Sequence, residues 1–193
     1  MGYMEWIAIA DEYYLAARSL QWFSGLGFPN TYAGHHAIEL YLKSVTIRVR
    51  GDYLNCHDLK LLYQEAVSVD PSIEHEAIPF AIVKYYNYDQ GARYGVEVSS
   101  KQQPTFPGMG TDSLRALDFA VASLRDLTAE TGKGLDRLVA GETYLTKLGM
   151  DDPHLALNSV ILFHFNDAFT PLKPEIMEGV NFSAPLWKVN DPF

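Results

Sequence analysis

From Trp6 to Leu20, from Ala33 to Ile47 and from Leu114 to Leu124, apolar residues recur at alternating steps of three and four. That is the period of one face of an α-helix, whereas a half-buried strand would alternate at two. A chain with three such stripes must bury each against another, so the pattern predicts an all-α body of packed helices.

Over Glu5–Ser24 the stripe is Trp6, Ile9, Tyr13, Ala16 and Leu20, with Asp11, Glu12 and Arg18 elsewhere on the turn. Gly25, Gly27 and Pro29 interrupt it, since glycine relaxes the backbone and proline removes a helical donor. A second helix is expected from a cap at Asn30 or Thr31 to about Arg50, with Ala33, Ala37, Leu40, Ser44 and Ile47 along one side. Ile38, Tyr41, Leu42 and Val45 widen that surface. His36, Glu39, Lys43, Thr46 and Arg50 form a polar stripe, expected to face solvent or a second copy, in which Glu39 and Lys43 make a favourable i,i+4 pair.

A third helix is predicted over His57–Ser68 through Leu59, Leu62 and Ala66, and a fourth with Pro79 in its first turn and Ile82, Tyr85 and Tyr86 inward. Gly91–Gly110, with Pro104 and Pro107, has loop composition. A fifth helix follows from Thr111 or Asp112 through Leu114, Leu117, Val121 and Leu124, stopped near Gly132 and Gly134. Beyond it Leu135–Leu148 suits one more helix, Ser159–Phe165 suits either a helix segment or a strand, and Pro153, Pro171, Pro174, Pro185 and Pro192 punctuate the rest. The expected organisation is an up-and-down bundle of four to five helices over residues 1–130, with 131–193 as a C-terminal extension packed on it.

The 193 residues suit one core, and a net charge of -9 repels phosphate backbones, which counts against a general DNA or RNA binder. A small site with local cations remains compatible. Cys56 is the single cysteine, which leaves no intrachain disulfide and suits a reducing cytoplasmic compartment. Ser159–Phe165 falls far short of the ~20 apolar residues of a membrane span, and Glu5, Asp11 and Glu12 stand where a signal peptide would be basic and then apolar.

No glycine-rich phosphate loop, nucleophile elbow or paired-cysteine motif is present, so no cofactor is expected. His35, His36 and Glu39 share a helical turn, but HExxH order and a third converging ligand are missing, so no metal is expected. His75 between Glu74 and Glu76 suggests an exposed acidic patch. Arg50 and His57 have the side chains of a phosphate-stabilising cation and a base; alternatively, Arg50 ends its helix favourably and His57 anchors the next. Arg93 and Tyr94, after Tyr85, Tyr86 and Tyr88, offer phosphate and stacking contacts, or a tie to a carboxylate such as Asp89.

Residues 5–128 resemble the prokaryotic HEPN family (higher eukaryotes and prokaryotes nucleotide-binding). The likeness rests on His36-Ala-Ile-Glu-Leu-Tyr-Leu-Lys43, on His57-Asp58-Leu59-x-x-Leu62 and on Arg93-Tyr94. It implies a homodimeric up-and-down bundle, a nucleotidyltransferase or toxin–antitoxin partner, and a nucleotide or single-stranded RNA contacted by Lys43, Asp58, Arg93 and Tyr94. RNA-cleaving members carry an Arg and, shortly after, a His; here six residues separate Arg50 from His57. Gly51 stands where those members have a polar residue, and His57-Asp58-Leu59 is closer to the non-cleaving branch. The resemblance thus implies a binding or interaction module first, and a metal-independent endoribonuclease using Arg50 and His57 as the alternative.

Overall fold

The computed structural model describes residues 2–24, 27–86, 111–128, 161 and 166–168. Among them there is no strand, and the regular elements are helical: α1 (Tyr3–Ser24), α2 (Gly27–Arg50), α3 (Leu59–Val69), a 3-10 turn (Pro71–Ile73), α4 (Ala77–Ala81) continued by a π-type turn (Ile82–Tyr86), and α5 (Thr111–Thr128). The expected loop at Gly91–Gly110, the helix at Leu135–Leu148 and nearly all of the 131–193 extension lie outside the described residues.

Helices α1 and α2 form an antiparallel pair. The Tyr41 hydroxyl donates to Asp11, and Asn30 Nδ2 donates to Gln21 Oε1 at 2.6 Å, so positions rising along α1 meet positions falling along α2. The second helix starts at Gly27 rather than at Asn30 or Thr31. Pro29 falls within its first turn, where N–H groups have no intrahelical acceptor and a missing donor does no harm.

The buried face of α1 differs from the expected stripe. Ile7, Ala10, Tyr14 and Ala17 are buried, whereas Ala16 is exposed and Trp6, Ile9, Tyr13 and Leu20 are only half-buried. Asp11 and Arg18, off the expected stripe, are 4 % and 0 % exposed. The face is rotated because two charged residues are internal, and each has a partner on α5. Arg18 Nη1 donates to the Asp118 carboxylate, meeting both its oxygens; Asp118 also accepts from Tyr14 Oη at 2.6 Å, while Arg18 Nε donates to the Ile161 carbonyl at 2.7 Å. Asn166 Nδ2 donates to Tyr14 Oη at 2.9 Å. Arg125 clamps Asp11 with two donors, Nε at 2.6 Å, and Tyr41 supplies a third. Burial pushes both Asp carboxyls up from their ordinary range while the facing guanidiniums pull them back, and burial drives Tyr14 and Tyr41 well above 10.

The remaining helices follow the expected apolar positions. Leu59, Leu62 and Ala66 of α3, Ile82, Tyr85 and Tyr86 after α4, and Leu114, Leu117, Val121 and Leu124 of α5 are buried in one core with α1 and α2. A close approach joins α2 to the far wall at Gly34, where a Cβ would run into the Tyr86 ring and lie 3.2 Å from Leu117 Cδ2. Tyr86 has little freedom to yield, because its hydroxyl donates to the Ser113 carbonyl at 2.9 Å.

Two stability outcomes follow. In urea denaturation Asp118→Leu leaves the Arg18 guanidinium buried without its carboxylate and loses about 3–5 kcal/mol; Arg18→Met with Asp118→Leu loses less than the sum of the single changes. Additive losses would show that the pair is not coupled. Gly34→Ala, which gains about 1 kcal/mol at an open helical site, instead lowers stability by about 1–3 kcal/mol through overpacking against Tyr86. The same denaturation series checks it, and a gain would contradict the close approach.

Candidate functional site

The middle of the polar stripe of α2 does not face solvent, although Arg50 at its end does. Glu39, Lys43 and Thr46 are buried at 3 %, 3 % and 1 % exposure, and the segment after α2 folds back over the first two, His57 onto Glu39 and Tyr53 onto Lys43. Gly51 makes that return possible. Its φ of 83° lies in the left-handed region open to glycine, and its N–H satisfies the Ile47 carbonyl at 2.8 Å, which terminates the helix. The following residues carry His57 back to α2. Asp58 then starts α3 by accepting the Lys60 and Leu61 N–H groups at 2.9 and 3.3 Å.

At the centre stands the Glu39 carboxylate. Its Oε1 meets Lys43 Nζ at 2.8 Å and His57 Nδ1 at 2.9 Å, and its Oε2 lies 3.5 Å from His35 Nε2 and 3.4 Å from His36 Nδ1. Burial alone would raise its pKa; the hydrogen bonds from His35, His36 and Lys43 outweigh that and hold the carboxyl far below its ordinary value of 4.5. Glu39 is therefore an anion throughout the physiological range. His35 is fixed from behind, its Nδ1 donating to the Tyr86 carbonyl at 2.6 Å.

Aromatic rings surround this hub. Lys43 Nζ sits 5.2 Å from the centre of the Tyr53 ring, which packs on Trp6 at 4.8 Å. His36 is held between Tyr13 at 5.1 Å and Tyr32 at 4.4 Å. The accessible members are His57, half-buried with 41 % of its side chain exposed, and the exposed Tyr53. The His57 Nε2 has no hydrogen bond among the described residues. The exposed surface thus offers an imidazole nitrogen and a phenol ring, backed by a buried ion pair.

Among the sequence-derived site residues, His57 and Lys43 converge on the same carboxylate oxygen. Lys43 is buried, and its ammonium is engaged by Glu39. Arg50 and His57 are held by different carboxylates: Arg50 pairs with Glu65 and reaches Asp52 at 3.4 Å, while His57 pairs with Glu39. Asp58 is occupied as the cap of α3, and Arg93 and Tyr94 lie outside the described residues. Sequence reasoning missed Glu39 as the organising group, along with Tyr53 and Trp6. The available signal was a carboxylate with histidines three and four residues before it and a lysine four after it.

Among the described residues no group of three or more His, Cys, Asp or Glu is arranged to hold a metal ion, and no helix is long and apolar enough to cross a membrane. The carboxylate that three histidines approach is already neutralised by Lys43. His75, expected in an acidic patch, is exposed, lies 3.2 Å from Ser123 Oγ and accepts the Ala77 N–H.

Because the folded-state pKa of Glu39 is depressed, its contribution to stability is complete above pH 4.5. It erodes as pH falls from there through the folded value, where only the unfolded chain takes up the proton. Glu39→Gln is expected to remove about one proton from the pH dependence of stability below 4.5, measured by urea denaturation at stepped pH. An unchanged acid slope would rule out this coupling.

Compared with models of known protein families, with curated proteins and with solved structures, the chain finds no significant match.

Proposed function

We propose that this chain is a HEPN-type helical module, homodimeric and partnered by a nucleotidyltransferase or toxin–antitoxin protein, that binds a nucleotide or a short single-stranded RNA segment at the Glu39–His57 site. One observation carries the proposal. Two separate fragments that suggest the family, His36–Lys43 and His57–Leu62, meet in space at the contact of His57 with Glu39, 2.9 Å long. The exposed groups there suit such a ligand: Tyr53 offers a ring to a base and the His57 imidazole a hydrogen bond to phosphate.

Cleavage is the second reading, and the Glu39 contact favours it specifically. A carboxylate on Nδ1 fixes the imidazole tautomer and leaves Nε2 to act as a base. Binding is preferred because Arg50, the cation that cleavage would enlist, is held by Glu65 and Asp52.

Fluorescence anisotropy with a labelled eight-nucleotide RNA, competed by ATP and AMP, tests both readings. Tyr53→Ala and His57→Ala are each expected to weaken binding about tenfold, whereas Lys60→Ala, at an exposed position of α3, leaves it unchanged. Neither RNA nor nucleotide binding at millimolar concentration would sink the proposal. Product formation that disappears in His57→Ala would move the assignment to the ribonuclease reading.

A further inference from the structure

A groove of about 810 Å³ runs between α4 with its π-type turn and α5, and it shares no lining residue with the Glu39 site. Its size falls in the range of small-molecule sites. Each wall carries an aromatic ring and, four residues along, a cation over that ring. On one side Lys84 Nζ lies 5.2 Å from the Phe80 ring centre and 5.1 Å from that of Tyr85; on the other Arg115 Cζ lies 5.9 Å from Phe119. Phe80 and Phe119 are 53 % and 39 % exposed, an unusual degree for large aromatic side chains. Between the walls Ala77, Ala116 and Ala122 keep the space open. The π-type turn widens the helix at this wall, a distortion that concentrates at functional sites.

We propose that this groove binds a small planar aromatic monoanion, its ring between Phe80 and Phe119 and its charge between Lys84 and Arg115. Charge complementarity selects that occupant. Lys84 has no carboxylate partner among the described residues, and the Arg115 pair with Asp167, 3.4 Å long with both side chains about two-thirds exposed, is well screened. The groove also carries two carboxylates. Asp112 stands in the first turn of α5, where the positive helix end offsets it, and Glu76 lies beside His75. These limit the ligand to one negative charge, placed on the cationic side. At the polar end, Ser123 Oγ donates to the Phe119 carbonyl at 2.9 Å and stands 3.2 Å from His75 Nδ1, which accepts the Ala77 N–H, so these groups are engaged within the chain and Lys84 and Arg115 set the polarity of the ligand.

Isothermal titration of the full chain with naphthalene-2-sulfonate, and with uncharged naphthalene-2-carboxamide, tests the assignment. The sulfonate is expected to bind at least about fivefold more tightly than the amide, and Lys84→Met and Arg115→Met each to weaken it about fivefold. Phe119→Ala is expected to weaken both probes about tenfold. All three positions are exposed, so the melting temperature of each variant should match the parent and separate lost binding from lost folding. Equal affinity for sulfonate and amide, or charge variants that bind like the parent, would show that charge does not select the occupant and would overturn the proposal. Concentration-dependent dimerisation that is lost in Phe119→Glu would give the groove to a second copy of the chain, and overturn it equally.

Discussion

Two buried Asp–Arg pairs set how the helices can pack. Asp11 and Arg18 are seven residues apart on α1, as are Asp118 and Arg125 on α5, so each helix presents one anion and one cation about 10 Å apart on a single face. Antiparallel packing matches Asp11 with Arg125 and Arg18 with Asp118, which are the pairs observed. Parallel packing would set carboxylate against carboxylate and guanidinium against guanidinium in a dry interior. Ion pairs of this kind add little net stability over apolar residues of similar volume, since desolvation offsets most of their attraction. Their effect is on orientation and register. Tyr14 and Tyr41 complete the arrangement by donating to the two carboxylates from α1 and α2.

The Glu39 hub is polar burial of a different kind. In the α1–α5 pairs each carboxylate meets one guanidinium and a phenol, deep in the core. At Glu39 one carboxylate meets an ammonium and three imidazoles, one of which is partly open to solvent. The first kind is closed on every side and orders the bundle. The second is closed on the α2 side and ends in the exposed His57 ring, with Tyr53 beside it over Lys43. Only the second can meet a ligand without unfolding the packed helices.

Fold class was legible because apolar periodicity is a local property. The apolar positions expected in α3 and α5 are the ones buried, although α3 starts at Leu59 behind an Asp58 cap and not at His57. The misjudged face of α1 has a definite cause. Asp11 and Arg18 fall off the apolar stripe in the sequence, and they are internal because their partners lie on a helix more than ninety residues away. Hydropathy cannot place a charge whose compensation is that remote, although the matching seven-residue spacings in α1 and α5 carried the information. The same blindness hid the site. Glu39 and Lys43 were legible as a helical pair, but burial turned a surface pair into a hub, and that burial depends on the positive φ of Gly51 returning His57 over α2.

The distribution of charge bears on the size of ligand that the Glu39 site can hold. The buried charged residues Asp11, Glu39 and Asp118 are balanced by Arg18, Lys43 and Arg125, so the net -9 falls on the rest of the chain. Arg50, exposed at the end of α2, is already engaged by Glu65 and Asp52 and adds no free cation to the site. A long nucleic acid would bring many phosphates within a Debye length, about 8 Å, of that acidic surface, and the repulsion would grow with each one. Under the proposed function, a nucleotide or a few-residue RNA end would bring only one or a few charges to the site and rely on stacking, which is insensitive to the global field. On the proposed reading, the acidic surface therefore favours a short ligand over a long one.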